Sequence, residues 1–142
     1  MITANKREER INMKNVFEFL KACGTFFLAT EEGDQPRVRP FGAVCQYDGK
    51  LYFCTNNTKQ VWRQMKQNPK VEISASLNGE WIRLTGKAVF DGRKEAKAAM
   101  LEENPRLKNM YGVDDGLFEV FYLESAAANI LSFAGRNDTY LF

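Results

Sequence analysis

Three short segments hold the residue types and spacings from which a binding site could be built. The first is Pro36-Arg37-Val38-Arg39-Pro40-Phe41-Gly42. In an extended chain Arg37 and Arg39 share a face, about 7 Å apart, and two guanidinium forks side by side can grip a phosphate. Pro40 has no N–H to give to a ladder, which marks an edge, a bulge or a place where the strand meets a ligand. A solvated strand face carrying two charges is the plainer alternative. The second segment is Thr55-Asn56-Asn57-Thr58-Lys59-Gln60. Here a strand gives way to a helix, whose first N–H groups and partial positive charge suit an anion. Lys59 adds a full charge. Ordinary capping, with Asn57 as the cap and Gln60 reaching back to it, is the alternative, and the two are compatible. The third is Glu80-Trp81-Ile82-Arg83-Leu84-Thr85-Gly86. Its alternation puts Trp81 on the polar face, where it either stacks on a ligand, packs at a subunit interface or lies half-covered by its neighbours.

Other chemistry is excluded by what is missing. The chain contains no histidine, so a histidine general base, metal ligand, catalytic triad member or haem ligand is ruled out. Cys23, Cys45 and Cys54 form no disulfide framework or zinc spacing and read as reduced, inert thiols. Any redox or group-transfer chemistry must then lean on other side chains or on a bound organic cofactor.

These segments need a scaffold. The 142 residues fit one domain, 1–142, with 44% apolar and 27% charged residues, and a chain of this size buries roughly 70% of its unfolded surface. A net charge of +2 argues against a dedicated nucleic-acid binder. No apolar run reaches the length of a membrane span, and Met1 to Arg10 lacks the apolar stretch of a signal peptide. The expectation is a cytoplasmic protein with a small-molecule substrate, no nucleic acid and no membrane partner.

Met13, Val16, Phe17 and Leu20 predict a helix over Glu8 to Cys23. Strands are predicted over Thr25 to Thr30, Pro36 to Gln46, Leu51 to Thr55, Val71 to Leu77 and Glu80 to Phe90. Asp48-Gly49 and Asn78-Gly79 are hairpin turns. Further helices run from Thr58 to about Gln67, ended by Asn68-Pro69, and from Arg93 to Glu102, ended by Asn104-Pro105. Arg106 to Tyr111 adds one helical turn. Strands at Leu117 to Leu123 and Ala127 to Phe133 are separated by a break near Glu124 to Ala126, and Thr139 to Phe142 pairs back. The fold class is therefore mainly β: a split or closed antiparallel β-barrel with two or three covering helices.

The order TFFLAT, DQPRVRPFG, YDGKLYFCTNNTKQVWRQMKQNPKVEIS and EWIRLTGKAVF resembles the pyridoxamine 5′-phosphate oxidase-like, FMN-binding split-barrel superfamily. Within it the chain is most similar to the small branch of nitroimidazole-resistance (Nim-type) and general-stress flavoproteins. The likeness covers Val16 to Phe90 well and the C-terminal third loosely. It implies flavin mononucleotide (FMN) as cofactor, with the deazaflavin F420 as rival, and a homodimer with flavin at the subunit interface. By this resemblance Arg39, with Arg37 second, matches the family's strand arginine, in the segment that includes Pro40 and Phe41. Cys54 and Thr55 match the strand end beside the flavin ring, Thr58, Lys59 and Gln60 the phosphate segment, and Trp81 a flavin contact. The chain departs from the family where Gln60 and Val61 replace a basic pair, where Cys45 replaces a lysine, and in GRNDTYLF, which lacks the arginine and histidine that pyridoxamine phosphate oxidation uses. The implied activity is transfer of electrons from a reduced nicotinamide to a small acceptor. The alternative is a non-catalytic flavin carrier or sensor.

Overall fold

A computed structural model describes residues 5–142. Its elements run α1 (Lys6–Cys23), β1 (Phe26–Glu32), β2 (Gln35–Phe41), β3 (Val44–Tyr47), β4 (Lys50–Asn56), α2 (Gln60–Gln67), β5 (Lys70–Leu77), β6 (Glu80–Asp91), α3 (Lys94–Glu103), a 3-10 turn (Pro105–Asn109), β7 (Phe118–Ser132) and β8 (Asn137–Leu141). No helix among the described residues is long and apolar enough to cross a membrane.

All strand pairs are antiparallel, in the order β2-β1-β5-β6-β7-β4-β3, with β8 added beside β7. The two ends of this order, β2 and β3, are consecutive in sequence and separated only by Gly42 and Ala43. Three peptide units reach at most about 11 Å. A flat sheet of seven strands cannot satisfy that link, so the sheet curls until its edges meet. The single strand predicted over Pro36 to Gln46 is thus two strands: β2 pairs β1, and β3 pairs β4. Pro40, with no N–H, stands just before the break.

The break predicted near Glu124 is also different in kind. β7 is one strand of 15 residues that pairs β6 on both sides of the irregularity, from Val120 to Ser132, β4 along its first part and β8 along its last. Between the Thr85–Ala127 and Lys87–Glu124 pairs, Ser125 and Ala126 stand opposite Gly86 alone, which is a bulge. Ser125 has a positive φ of 53°. A Cβ on Gly86 would stand 3.0 Å from the Leu123 Cβ, a tight approach that glycine avoids. Ladder bonding to β6 resumes on both sides, which keeps the strand whole while it bends. Both predicted hairpins are present, with positive φ at Asp48, Gly49, Asn78 and Gly79 as a primed turn demands.

The barrel interior is a run of aromatic rings. Phe53 lies 5.6 Å from Phe26 and 5.8 Å from Phe121, and Phe121 lies 5.5 Å from Phe90. Met13, Val16 and Leu20 of α1 close over this core. A second cluster lies on the outer face of β3, β4 and β7, where Ala96, Met100 and Leu101 of α3 cover Cys45, Tyr52, Phe118 and Val120. β4 is therefore buried on both faces: Leu51 and Phe53 point into the barrel, Tyr52 and Cys54 under α3. Its C-terminal end emerges between the two clusters, at the N-terminus of α2.

Candidate functional site

At that end of β4 lies an open cavity of 340 Å³, in the lower part of the usual range for ligand pockets. Four walls make it. β4 supplies Cys54 and Thr55, the β2–β3 link supplies Phe41, Gly42 and Ala43, the start of α2 supplies Lys59, and the segment after α3 supplies Asn104, Arg106, Leu107, Met110 and Tyr111. No acidic residue lines it, and neither Lys59 nor Arg106 makes an ion pair among the described residues. Thr55 is only 6% exposed, yet its Oγ1 is buried without a hydrogen-bond partner. Leaving a buried hydroxyl unpaired costs about 1–3 kcal/mol, so this atom is poised for a group the chain does not supply.

The start of α2 is open as well. Its N-cap is Lys59, which makes no side-chain capping bond. The capping expected of Asn57 is absent, because the Asn57 amide donates to the Gly116 carbonyl at 2.8 Å. Asn56 instead shapes the approach: its Oδ1 accepts from the Thr58 N–H at 3.0 Å and the Thr58 hydroxyl at 2.5 Å. With the first N–H groups of the helix uncapped and Lys59 beside them, the geometry suits an anion. Burial holds the Cys54 thiol far up, at about 12, despite the opposing pull of Lys59. It is a neutral wall at physiological pH rather than a nucleophile.

Phe41, Cys54, Thr55 and Lys59 are thus brought together around one cavity, and Thr58 and Gln60 flank it. The remaining sequence candidates lie elsewhere in the same chain. Arg39 reaches inward and donates to the Thr30 hydroxyl at 2.7 Å and to Gln64 Oε1 at 2.6 Å. The Thr30 hydroxyl donates to the same Gln64 oxygen at 2.6 Å, and Gln64 Nε2 donates to Glu32 at 3.2 Å. Arg37 pairs with Glu32 at 3.0 Å. Gln64 is on α2, so Arg39 braces the helix that Lys59 precedes as N-cap, about 7 Å away along the axis. Pro40 is exposed opposite Phe27. Trp81 is half-buried at the far end of β6, its ring 4.9 Å from that of Phe133, which is 96% exposed.

Asn104, Arg106, Leu107, Met110 and Tyr111 were not legible as site residues. They follow α3 in sequence and face the cavity only because α3 packs on β3, β4 and β7. An unpaired arginine and an aromatic after Asn104-Pro105 carried no signal of their own.

The family model described as pyridoxamine 5′-phosphate oxidase matches residues 13–131. No curated protein matches the chain. Among solved structures, a NimC/NimA family protein from Clostridium acetobutylicum is 57% identical over 92% of this chain and 93% of its own, with a TM-score of 0.88. A pyridoxamine 5′-phosphate oxidase-related, FMN binding protein from Nostoc punctiforme is 19% identical over 98% and 90%, with a TM-score of 0.67. A heme binding protein from Mycobacterium smegmatis is 18% identical over 99% of this chain and 60% of its own, with a TM-score of 0.70. The last two share the fold.

Proposed function

This chain belongs to the pyridoxamine 5′-phosphate oxidase family, and from that premise we propose that it is an FMN-binding flavoprotein whose cofactor occupies the cavity at the end of β4. One observation carries the reading: Thr55, whose buried hydroxyl has no partner, borders a cavity that Lys59 lines unpaired and no acid lines, at an uncapped helix start. Such a donor set fits a ligand with a polar ring edge and a phosphate. Lys59, Thr58 and the first N–H groups of α2 hold the phosphate, while Phe41, Cys54 and Thr55 border the ring. Arg39 serves the site from behind, by holding α2 through Gln64. Pro40 sets the turn that delivers Phe41, and Gln60 opens the helix. Arg37 supports Glu32 in the same brace.

In its family the site lies between two subunits, and we extend that to this chain. The cavity is open, and the exposed Phe133, packed on the half-buried Trp81, is available to a second copy. The Nostoc relative described as FMN binding supports the choice of FMN over F420. The heme binding relative shares only the fold, and this chain has no histidine to serve as an axial ligand.

When bound, the flavin supplies hydride and electron transfer. The chain's part is to bind, orient and exclude water. We assign it the transfer of electrons from a reduced nicotinamide to a small acceptor in the cytoplasm. A non-catalytic carrier or sensor is the second reading, favoured by one fact: no carboxylate or thiolate lines the cavity to move a proton. Anaerobic mixing of the loaded protein with NADH or NADPH separates the two. Bleaching of the flavin with either supports the enzyme, and none with both leaves the carrier.

Binding itself is tested on flavin-free protein by fluorescence titration. FMN is expected to bind at least about tenfold tighter than riboflavin, and Lys59→Glu to erase that difference. Equal affinity for the two flavins in the unsubstituted protein would remove the phosphate assignment.

A further inference from the structure

Once Lys59 and the start of α2 are given to the cofactor phosphate, the cavity still holds a second cation. Arg106 lines it, and its guanidinium makes no hydrogen bond or ion pair among the described residues. Its cationic neighbours are engaged: Lys108 with Glu102 at 3.0 Å, Lys21 with Glu103 at 3.6 Å, and Lys94 with Asp114 at 2.6 Å. Arg106 is exposed and pairs with neither Glu102 nor Glu103, the acids closest to it along the chain.

Tyr111 stands beside it, and its proton can be located by elimination. The Thr58 N–H can only donate, so the Asn56 atom facing it at 3.0 Å is the amide oxygen. The Asn56 nitrogen therefore faces Tyr111 and donates to its hydroxyl at 2.7 Å. The Tyr111 oxygen is an acceptor in that bond, and its own O–H remains to be donated. Its ring is fixed by stacking on Phe118, 4.9 Å away at 25°. Tyr111 is thus an oriented donor lining the cavity next to an unpaired cation. Leu107 and Met110 supply apolar wall around them, and Met110 is left exposed at 66%.

We propose that Arg106 and Tyr111 are the recognition pair for the substrate, and that the substrate class is a small aromatic carboxylate. Arg106 pairs with the carboxylate, the Tyr111 O–H donates to one of its oxygens, and the ring is taken by the apolar wall. This rests on the flavin reading, since it assigns Lys59 to the cofactor and Arg106 to the second anion.

The test uses FMN-loaded protein titrated with benzoate and with its uncharged analogue benzamide, read by the flavin visible spectrum and by calorimetry. Benzoate is expected to bind at least about tenfold tighter than benzamide. Arg106→Gln should abolish that preference while leaving FMN affinity and the urea midpoint unchanged. Tyr111→Phe should weaken both probes about threefold to tenfold with FMN affinity retained. Equal binding of the two probes, binding of neither, or an Arg106→Gln variant that loses FMN rather than benzoate overturns the assignment. If the unsubstituted protein takes up no FMN, the flavin reading fails on its own. Calorimetry of the flavin-free protein then decides the probe comparison, because Arg106 and Tyr111 line the cavity regardless.

Discussion

Two polar regions meet α2 from opposite sides, and they are built from nearly the same parts. One has Arg37, Arg39, Thr30 and Gln64; the other has Lys59, Arg106, Thr55 and Asn56. In the first, each guanidinium has a partner, the Thr30 hydroxyl both accepts and donates, and Glu32 closes the circuit. In the second, both cations are unpaired and the threonine hydroxyl is orphaned. Satisfied polarity holds the fold together, whereas unsatisfied polarity at an open cavity waits for a ligand. Residue type does not tell the two apart, but the count of partners does.

The largest expected effect breaks the satisfied region. Arg39→Met removes a charge-assisted donor from two buried acceptors and should cost about 2–3 kcal/mol in urea unfolding. Its effect on FMN affinity in the folded protein should stay small. An unchanged urea midpoint with FMN binding abolished would instead make Arg39 a direct phosphate ligand, and the contrast would collapse. The matching change at the cavity has the opposite sign. Thr55→Val removes an orphaned hydroxyl at nearly constant volume and should stabilise the flavin-free protein by about 1 kcal/mol while weakening FMN. Thr30→Val, by comparison, should destabilise by about 1–2 kcal/mol, because it strips partners from Arg39 and Gln64.

A smaller effect is expected with acid. Hydrogen bonds from Arg37 and then Gln64 hold the Glu32 carboxyl below its usual range. A carboxylate depressed in the folded state adds stability above its unfolded pKa, and loses it as pH falls through the folded one. Urea midpoints measured from pH 6 down to pH 3 should therefore fall less steeply in Glu32→Gln. Smallest of all is Arg37→Ala, a half-exposed ion pair whose loss should change stability by less than about 0.5 kcal/mol.

Much of the architecture was legible from local signals. Hydrophobic spacing placed α1, the Asp-Gly and Asn-Gly turns placed two hairpins, and alternation correctly divided β6 between Ile82, Leu84 and Ala88 inside and Arg83, Thr85 and Lys87 outside. Two boundaries were misread for a shared reason. Whether Gly42-Ala43 ends a strand, and whether Ser125-Ala126 does, depends on which neighbours offer ladder partners, and those neighbours are distant in sequence. Of the site, the half made by the strand-to-helix turn was visible, since Thr55, Thr58 and Lys59 are close along the chain. The half made by Arg106 and Tyr111 was not.

The amino-acid sequence by itself determined that this chain forms antiparallel strands, that no histidine chemistry is open to it, and that a helix start bearing Lys59 follows directly on a buried strand. These are properties of composition and of neighbours within a few residues. Only the tertiary structure decided that Arg39 bonds to Thr30 and Gln64, that Thr55 lacks a partner, and that Arg106 faces the same cavity as Lys59. Each of those depends on which groups lie within hydrogen-bond reach. That reach is set by the curl of the sheet and the docking of α3, not by position along the chain.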